Sequence, residues 1–416
     1  MSPRSAVVVT GSELTRGGRQ DANGPFLARE LAARGLEPAR ILVIGDRPDE
    51  LEAALREGLG ADLLVTSGGL GPTHDDRTVE VLARVAGRDV VVDEGLEARI
   101  GEFSRSLAER YGRPYSEFEM GVRKQASLPE GALVLGLAGT APGLVLEVDG
   151  TVTIVLPGPP GELRRLWKKA VEAAPVRAVF ERAEAPERRV LRFYGVSESA
   201  VARALAEAGG EGDGVEATIC AHDGEIEMLL LGGSEHVAQP VREALAPYLF
   251  AEDERSAAEI VLEACRERGV SLAAAESCTG GLVAARLTSV PGSSDVFRGA
   301  IVAYDDVVKA NQLGVPEGIL AAHGAVSAET AEAMAAGARG AFEADVAVSV
   351  TGIAGPAGAT PQKPVGLVFL HAQGPAGNDR LEIRFNGDRD AVRSRATAAA
   401  LHLVRRLLTQ SSHEQA

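Results

Sequence analysis

A group of small polar residues lies where the sequence pattern of a strand changes to that of a helix. The apolar segment 272–275 leads into the motif ESCTGG, which places Ser277, Cys278 and Thr279 directly before the helical segment LVAARLTSV. Unpaired backbone N–H groups at the start of a helix stabilise negative charge, and this position therefore suits a serine that attacks an acyl carbon. We expect acyl transfer at Ser277, although residues that only cap the helix would give the same pattern.

Two residues further along the chain are candidate partners of this serine. The segment GAIVAYDDVVK places Tyr304 beyond the next strand and Lys309 just over one helical turn later. A lysine that is removed from water gives up its proton more readily and can act as the general base for a serine. A lysine on a solvated helix face is the alternative. We expect the neighbouring carboxylates of Asp305 and Asp306 to face solvent.

Cys278 competes with Ser277 as the nucleophile, because a thiol is intrinsically more reactive than a hydroxyl group. No histidine lies in a motif that could form a pair with this cysteine. We therefore interpret Cys278 as a small buried thiol.

The remaining candidates around Ser277 lie in glycine turns and at the start of the last helix. The segment SVTGIAGPAG is a second strand that ends in glycines, which can bring backbone donors close to a ligand. The segment GDRDAVRSRA carries arginines that could bind a phosphate, with ordinary surface arginines as the equal alternative. The residues predicted to bind the substrate of this site are Thr279, Gly280, Gly281, Thr351, Gly352, Gly355 and Arg393.

A second candidate site lies near the N-terminus, where the strand DLLVT runs into SGGLGPTHDDRT. Glycines at the carboxyl end of a strand expose N–H groups to a phosphate, and paired carboxylates can hold a divalent metal that bridges to it. A plain glycine-rich loop is the alternative. The residues predicted to bind the substrate are Gly11, Ser12, Glu13, Asn23, Ser67, Gly68, Gly69, Gly71, Thr73, Pro157 and Gly158, and the predicted metal ligands are Asp21, Asp75 and Asp76.

Alternating strands and helices must position these segments. Three strand patterns within residues 6–66 alternate with helix patterns, which predicts a parallel sheet covered by helices. Residues 188–250 read as strand, helix, two strands and helix, which indicates a small α+β layer. A further α/β alternation starts near Ala257. We predict domains at 1–171, 172–252 and 253–416, with a frayed tail at 409–416.

The composition excludes several classes of protein. The 416 residues are 45% hydrophobic and 25% charged, the proportions of a folded globular chain. Lys and Arg number 43 and Asp and Glu 59, and the resulting net charge of −16 argues against direct binding of nucleic acid. The first apolar run is too short for a signal peptide, and no stretch reaches the roughly 18–20 apolar residues of a membrane span. We expect a cytoplasmic protein without a membrane partner.

Six motifs follow one another in the last part of the chain: AESCTGG, PGSS, the Tyr304–Lys309 spacing, HGAVS, VTGIAGP and KPVG. In this order, over residues 257–409, they resemble the C-terminal domain of the CinA family. The resemblance implies a nicotinamide mononucleotide deamidase of the stand-alone PncC type, which needs no cofactor. It also implies that Ser277, Lys309 and Tyr304 are the catalytic residues. The chain departs from the family at Asp305 and Asp306, where members commonly carry serine and asparagine.

The motif order over residues 5–170 resembles the three-layer molybdopterin-binding fold of the MoaB and MogA type, and more closely the N-terminal domain of CinA proteins. This resemblance implies hydrolysis of ADP-ribose to AMP and ribose 5-phosphate with a divalent metal (Mg²⁺, Mn²⁺ or Co²⁺). The segments SELTRG and DAN, and Gly136, depart from the family pattern, which leaves binding without fast turnover open. Residues 172–252 would be a KH-like α+β connector, and we expect a homodimer.

Two interpretations of the whole chain follow. The first is a bifunctional enzyme of pyridine-nucleotide salvage that acts on the small nucleotides nicotinamide mononucleotide and ADP-ribose. The second is a non-enzymatic molybdopterin-binding or competence-related regulatory interaction protein. The presence of Ser277, Tyr304 and Lys309 together favours the enzyme for the C-terminal domain.

Overall fold

The computed structural model describes residues 3–210, 212 and 214–410. The chain forms two compact units, of which the first ends at Pro186 and the second begins at Glu187. The predicted α/β multidomain class is confirmed, since each unit combines sheets and helices. No helix in the described part is long and apolar enough to cross a membrane. Most of the tail that was predicted to fray lies outside the described residues.

The first unit is built on a mixed six-stranded sheet in the order β2–β1–β3–β8–β7–β6. Strands β1, β2, β3 and β8 run parallel, β7 is antiparallel to β8, and the edge strand β6 is antiparallel to β7. A separate two-stranded sheet joins β4 and β5. The strands are β1 (Ser5–Thr10), β2 (Pro38–Ile44), β3 (Leu63–Ser67), β4 (Val90–Val92), β5 (Ser127–Pro129), β6 (Leu133–Leu137), β7 (Pro142–Val148) and β8 (Thr151–Leu156).

Helices cover both faces of this sheet and make three layers. Successive residues of a strand point to opposite faces, and accordingly Val8 packs in one core while Val7 and Val9 pack in the other. The helices are α1 (Ser12–Thr15), α2 (Asn23–Ala32), α3 (Pro48–Gly58), α4 (Thr78–Val85), α5 (Glu94–Tyr111), α6 (Ser116–Gln125), α7 (Pro160–Ala170) and α8 (Ala174–Phe180).

The first unit extends beyond residue 171, where we predicted the domain to end. Val176 and Val179 of α8 are buried in the same core as Trp167 of α7. The chain therefore leaves the core of this unit only after α8, and the compact unit ends at Pro186.

The second unit begins with a four-stranded antiparallel sheet in the order β10–β11–β9–β12. With its two helices it has the βαββαβ order of a split βαβ fold, in agreement with the α+β layer predicted for residues 188–250, whereas the KH-like description stays a prediction. The structure adds the short strand β12 to the strand, helix, two strands and helix predicted for this segment. The elements are β9 (Arg188–Tyr194), α9 (Glu198–Glu207), β10 (Glu216–His222), β11 (Glu225–Leu231), α10 (Glu235–Ala244) and β12 (Leu249–Ala251).

The rest of the second unit is a five-stranded sheet in the order β14–β13–β15–β16–β17. Strand β13 is parallel to both β14 and β15, so that the carboxyl ends of these three strands meet at one edge. The strands are β13 (Leu272–Glu276), β14 (Phe297–Val302), β15 (Val346–Gly352), β16 (Leu367–Gly374) and β17 (Gly377–Arg384). The helices are α11 (Ala257–Arg268), α12 (Leu282–Thr288), α13 (Asp306–Leu313), α14 (Glu317–His323), α15 (Ala328–Ala341) and α16 (Arg389–Gln410).

Strand β13 is rich in alanine because helices pack on both of its faces. Ala273 and Ala275 face a core that includes Met334 and Ala338 of α15. Ala274 faces a core that includes Val404 of α16. All three alanines are fully buried.

The hairpin between β10 and β11 contacts the helices of the five-stranded sheet. Asp223, at its tip, forms an ion pair with Arg286 of α12. Next to it, Glu225 accepts a hydrogen bond from Nε2 of the buried His402 of α16 at 2.9 Å. The imidazole of His402 stacks on Tyr194, with 3.8 Å between the ring centroids. The split βαβ layer is therefore part of the packed second unit.

Candidate functional site

Ser277 lies in the turn that joins β13 to α12. Its N–H donates to the carbonyl of Val350 in β15 at 2.9 Å, and its own carbonyl accepts from Gly280 at 3.1 Å. On the other side, the N–H of Ala303 donates to the carbonyl of Glu276 at 2.7 Å. These bonds hold the turn between the ends of β14 and β15, and Ser277 keeps only 8% of its surface exposed.

Lys309 lies on α13, in the segment that follows β14, and only 1% of its surface is exposed. Its Nζ is 3.4 Å from the carbonyl oxygen of Tyr304 and 3.3 Å from Oδ1 of Asp306. Asp305 caps the same helix by accepting from the N–H of Val307. Both aspartates are exposed, but the contact of Asp306 with Lys309 was not expected from the sequence.

The predicted nucleophile and base are at the same sheet edge without a direct bond. Among the described residues, no hydrogen bond joins Ser277 Oγ to Lys309 Nζ, whose bonds go to Tyr304 and Asp306. Catalytic hydrogen bonds are commonly long or misaligned without substrate and shorten in the complex. The arrangement is therefore compatible with a serine–lysine pair that closes when substrate binds.

Two arginines of α16 lie at this edge. Arg389 Nη2 donates to the hydroxyl of Tyr304 at 2.6 Å, and Arg389 Nη1 donates to the carbonyl of Gly355 at 2.7 Å. Arg393 Nη2 donates to the carbonyl of Thr279 at 3.0 Å. Tyr304 itself is 59% exposed. Arg389 thus joins the predicted Tyr304 to the predicted glycine turn; it is one of the arginines of GDRDAVRSRA considered as phosphate ligands, of which our set of site residues kept only Arg393.

The predicted threonines are both buried. Thr351 Oγ1 donates to the carbonyl of Ala325 at 2.7 Å, so its hydroxyl is already used inside the protein. Thr279 Oγ1 is buried and has no partner among the described residues. Gly280 and Gly281 follow with φ of +61° and +96°, a backbone conformation that favours glycine.

Several N–H groups at the start of α12 are occupied, contrary to our expectation that they are unpaired. The carboxylate of Glu276 accepts from Gly281 at 2.9 Å, from Val283 at 3.1 Å and from Ala284 at 2.9 Å. These three groups are therefore not available to an oxyanion. The sequence could not indicate these bonds, because they depend on the direction of the Glu276 side chain, which spans the turn that contains Ser277 and reaches the start of α12.

Cys278 is 4% exposed, and burial raises the pKa of its thiol to about 12. At neutral pH it is a protonated, poorly nucleophilic group. This supports the interpretation of Cys278 as a buried thiol beside Ser277.

The first unit has a cleft of about 480 Å³ at the carboxyl ends of β1, β3 and β8. From β1 the chain passes to β2 on one side, and from β2 it crosses to β3 on the other side of β1. The strand order therefore reverses between β1 and β3, the position where open α/β sheets bind ligands. The predicted residues that line it are Gly11, Glu13, Asp21, Asn23, Gly68, Gly69, Gly71, Asp75, Asp76, Pro157 and Gly158.

Three other predicted residues do not line this cleft but form hydrogen bonds with residues that do. Ser67 is fully buried and accepts from Asn23 Nδ2 at 2.9 Å. The N–H of Ser12 donates to Asp46 Oδ2 at 2.8 Å. Thr73 Oγ1 lies within hydrogen-bond distance of the carboxylates of Asp75 and Asp76. They orient other residues of the loops.

The predicted metal ligands do not form a ready-made cage. Asp21 accepts from the N–H groups of Asn23 at 2.8 Å and Gly24 at 3.1 Å, which commits its carboxylate to the start of α2. The described residues contain no group of three or more His, Cys, Asp or Glu side chains placed to hold a metal ion. Asp75 and Asp76 instead fit Mg²⁺, which prefers one or two carboxylates together with water and substrate phosphate oxygens.

Two acidic residues of the cleft were missed. Asp46 lines it and accepts from Thr10 Oγ1 at 2.8 Å. Glu162, at the start of α7, is half-buried, and burial raises the pKa of its carboxyl group. Asp46 comes two residues after β2, at the same sheet edge as the predicted loops, and this position was the available signal.

Comparison with known proteins decides the family. Residues 6–176 match the probable molybdopterin binding domain, and residues 254–408 match the CinA C-terminal domain. A CinA-like protein from Mycolicibacterium paratuberculosis is 43% identical, with 99% of this chain and 100% of that protein covered. The chain belongs to the CinA family. A CinA-like protein from Mycobacterium tuberculosis is also 43% identical, with 98% of each covered.

Solved structures also resemble parts of this CinA-family chain. The competence/damage inducible protein CihA from Agrobacterium tumefaciens is 37% identical, with a TM-score of 0.36, and covers 38% of this chain and 99% of its own. The molybdopterin biosynthesis enzyme MoaB from Thermus thermophilus is 22% identical, with a TM-score of 0.29, and covers 44% of this chain and 96% of its own. The family models and the relatives over the whole chain confirm the family predicted from the motifs, whereas the two reactions stay predictions.

Proposed function

We propose that the C-terminal site of this CinA-family protein hydrolyses the carboxamide of nicotinamide mononucleotide to give nicotinate mononucleotide and ammonia. The main supporting observation is the burial of Lys309, a charged residue type that rarely enters a core, at the sheet edge that carries Ser277. A serine after a strand, with a buried lysine at the same sheet edge, matches the serine–lysine type of hydrolase. The family resemblance supplies the substrate.

In the proposed reaction Ser277 Oγ attacks the carboxamide carbon while Lys309 Nζ accepts the hydroxyl proton. The C–N bond then breaks, and the leaving nitrogen takes this proton and departs as ammonia. A water molecule attacks the resulting ester and gives one proton to Lys309, which returns it to Ser277 Oγ; the acid that leaves releases its remaining proton to solvent and becomes the carboxylate product. No cofactor takes part in these steps.

Lys309 must exchange its present partners for Ser277 during this cycle. Its Nζ is held by the Tyr304 carbonyl and the exposed carboxylate of Asp306. The side chain of Asp306 is 60% exposed, so that water can replace Lys309 at this carboxylate, whereas the buried Lys309 needs its new partner Ser277 or the loss of its proton to offset the broken ion pair. We propose that Tyr304, fixed by Arg389, contacts the substrate, and that Arg393 binds its phosphate.

We further propose that the cleft of the first unit hydrolyses ADP-ribose to AMP and ribose 5-phosphate. Its volume of about 480 Å³ lies in the usual range of small-molecule sites. Gly68 has φ of +105°, and a Cβ atom there would lie 2.3 Å from the carbonyl of Thr10, so a residue without a side chain is required where β1 and β3 meet the cleft.

A divalent metal fits this cleft as a partner of the substrate. Asp75 and Asp76 would hold it, and when bound it would neutralise the charge of the pyrophosphate. Thr73 orients both carboxylates, and its hydrogen bond lowers the pKa of Asp75, which keeps that residue charged. Asn23 donates to Ser67 and to the carbonyl of Gly158 and so ties the loops after β3 and β8 together.

The proposal is tested by incubating the purified full chain with each nucleotide, with and without Mg²⁺, and identifying the products. We expect ammonia and nicotinate mononucleotide from the first substrate under both conditions. AMP and ribose 5-phosphate are expected from ADP-ribose only with metal. Binding of both nucleotides without any product would contradict the enzyme proposal and favour the molybdopterin-binding or regulatory alternative.

A further inference from the structure

Glu276 is a buried carboxylate next to the proposed nucleophile. It is the last residue of β13, it is fully buried, and its main chain pairs with β14 and β15 on either side. Neither of the two predicted functional sets includes it. A buried carboxylate is costly unless it is hydrogen-bonded or paired, and the contacts of this one show what offsets the cost.

Both oxygens of Glu276 accept hydrogen bonds from the backbone beyond the nucleophile turn. Oε2 accepts from Gly281 at 2.9 Å and Val283 at 3.1 Å, and Oε1 accepts from Ala284 at 2.9 Å. The side chain therefore links the end of β13 to the first turn of α12, while Ser277 lies in the loop between the two ends. A negative group at the start of a helix is also favourable for the helix dipole.

We propose that Glu276 is the positioning residue of the nucleophile: by joining the two ends of its turn it fixes Ser277 at the distance and angle needed for attack. This inference rests on the proposed deamidase function. Glu276 acts through Ser277 and touches no reacting atom. Without it the turn would keep the bonds of Ser277 to Val350 and Gly280 and the bond of Thr279 to Arg393, none of which joins β13 to α12.

The structure offers a matched control at the opposite end of the same strands. Asp345 precedes β15 and accepts from the N–H of Ser271 at 2.8 Å and from Ser271 Oγ at 2.7 Å. It joins the starts of β13 and β15 as Glu276 joins the end of β13 to α12. Asp345 is exposed, so Asp345→Asn should lower stability less than Glu276→Gln does, and it lies at the end of the sheet away from Ser277.

The test compares Glu276→Gln with Asp345→Asn in the full chain. Glutamine has the same shape, but its NH₂ group faces backbone N–H donors and cannot accept from them. We expect kcat for nicotinamide mononucleotide to fall about 10- to 100-fold in Glu276→Gln, since a shift of about 1 Å can cost this much. We expect KM to stay within about twofold, because phosphate and ring contacts are unchanged. Asp345→Asn should keep both constants.

Labelling of Ser277 by a fluorophosphonate gives a second measurement that does not depend on the substrate. The labelling rate should fall in Glu276→Gln and remain normal in Asp345→Asn. If Glu276→Gln does not fold, Glu276→Asp keeps the acceptor charge with a shorter reach and should show the same loss in smaller measure.

Unchanged kcat and labelling in Glu276→Gln, or equal losses in Asp345→Asn, would overturn the positioning role. If the wild type labels at Ser277 but releases no ammonia, the proposed function fails and the labelling rates still decide the role of Glu276.

Discussion

Both candidate sites lie at the carboxyl ends of parallel strands, one after β1, β3 and β8 and the other after β13, β14 and β15. They differ in how their charged groups are held. In the cleft of the first unit, Asp75 is exposed and Asp76 is half-buried, and both are bonded mainly to Thr73 of their own loop. In the second unit, Lys309 and Glu276 are buried. Accessible carboxylates can bind a metal ion that enters together with a charged substrate. Buried charged groups are better suited to transfer a proton or to hold another residue in a fixed position.

The largest test of this contrast is removal of the proposed nucleophile. Ser277→Ala should lower deamidation by at least about 10³-fold, because no acyl intermediate can form without the hydroxyl group. ADP-ribose cleavage should remain at the wild-type rate. Cys278→Ala is the matched control and should be tolerated, since its thiol is protonated and buried. An active Ser277→Ala with an inactive Cys278→Ala would reverse the assignment.

Lys309→Arg should lose deamidation nearly as fully as Lys309→Ala, by at least about 10²-fold, because arginine keeps its charge but cannot give up a proton. Initial rates of ammonia release measure this. Lys363→Arg serves as the control in the same unit, where Nζ donates to the carbonyl of His323. If Lys309→Arg retains activity, the lysine acts by charge alone, and Tyr304 becomes the candidate base.

Removal of divalent metal should separate the two sites. A chelator should lower ADP-ribose cleavage by about 10²-fold or more, since the metal neutralises phosphate charge worth several kcal/mol, and deamidation should be spared. Asp76→Asn should have the same selective effect, with Asp49→Asn on the surface of α3 as the control. Parallel loss of both activities on chelation would contradict the two-site proposal.

The contribution of the split βαβ layer to the stability of the second unit can be measured with fragments of the chain. Residues 253–416 alone are expected to fold and deamidate, because they contain the whole five-stranded sheet and Ser277, Tyr304 and Lys309. The Tm of this fragment should be lower than the Tm of the fragment 187–416, since it loses the contacts of Asp223 and Glu225 with Arg286 and His402. Each kcal/mol lost lowers Tm by about 2–4 °C in a domain of this size. An inactive 253–416 beside an active 187–416 would show that the layer completes the site.

The smallest expected effect concerns pH. Burial lowers the pKa of His402 below its usual value, while Glu225, Arg192 and Arg405 face it. The unfolded chain then binds a proton that the folded chain does not, so that stability falls as the pH drops through about 6.5. His402→Gln should weaken this fall in Tm between pH 7 and 5.5. An unchanged slope would contradict it. Burial also lowers the pKa of His371, which should leave a residual slope.

The sequence predicted the positions of the candidate site residues in the fold better than it predicted the hydrogen bonds of their side chains. The ends of strands were readable from apolar runs followed by glycines and polar residues, and so the sequence placed Ser277 and the loops of the cleft at the sheet edges where the structure has them, while their roles stay predictions. Contacts between distant residues were not readable. Glu225 and His402 lie 177 positions apart, and no local pattern indicates their bond.

Local patterns failed in a different way at Glu276 and Asp306. Both belong to motifs that we had examined, yet their roles depend on side-chain direction, which spacing alone does not fix. The boundary at 171 shows the same limit, because α8 is short and only its burial against Trp167 assigns it to the first unit.

The alanines of β13 have a consequence for how this protein can vary. Ala273, Ala274 and Ala275 have no exposed surface, and helices press on them from both sides. A larger residue at any of them would cost about 1–3 kcal/mol through overpacking, and relief would have to come from moving α15 or α16. α16 carries Arg389 and Arg393. Substitutions in this stretch of small residues would therefore displace the arginines near Ser277, and mutational screens that look only at polar residues would miss this sensitivity.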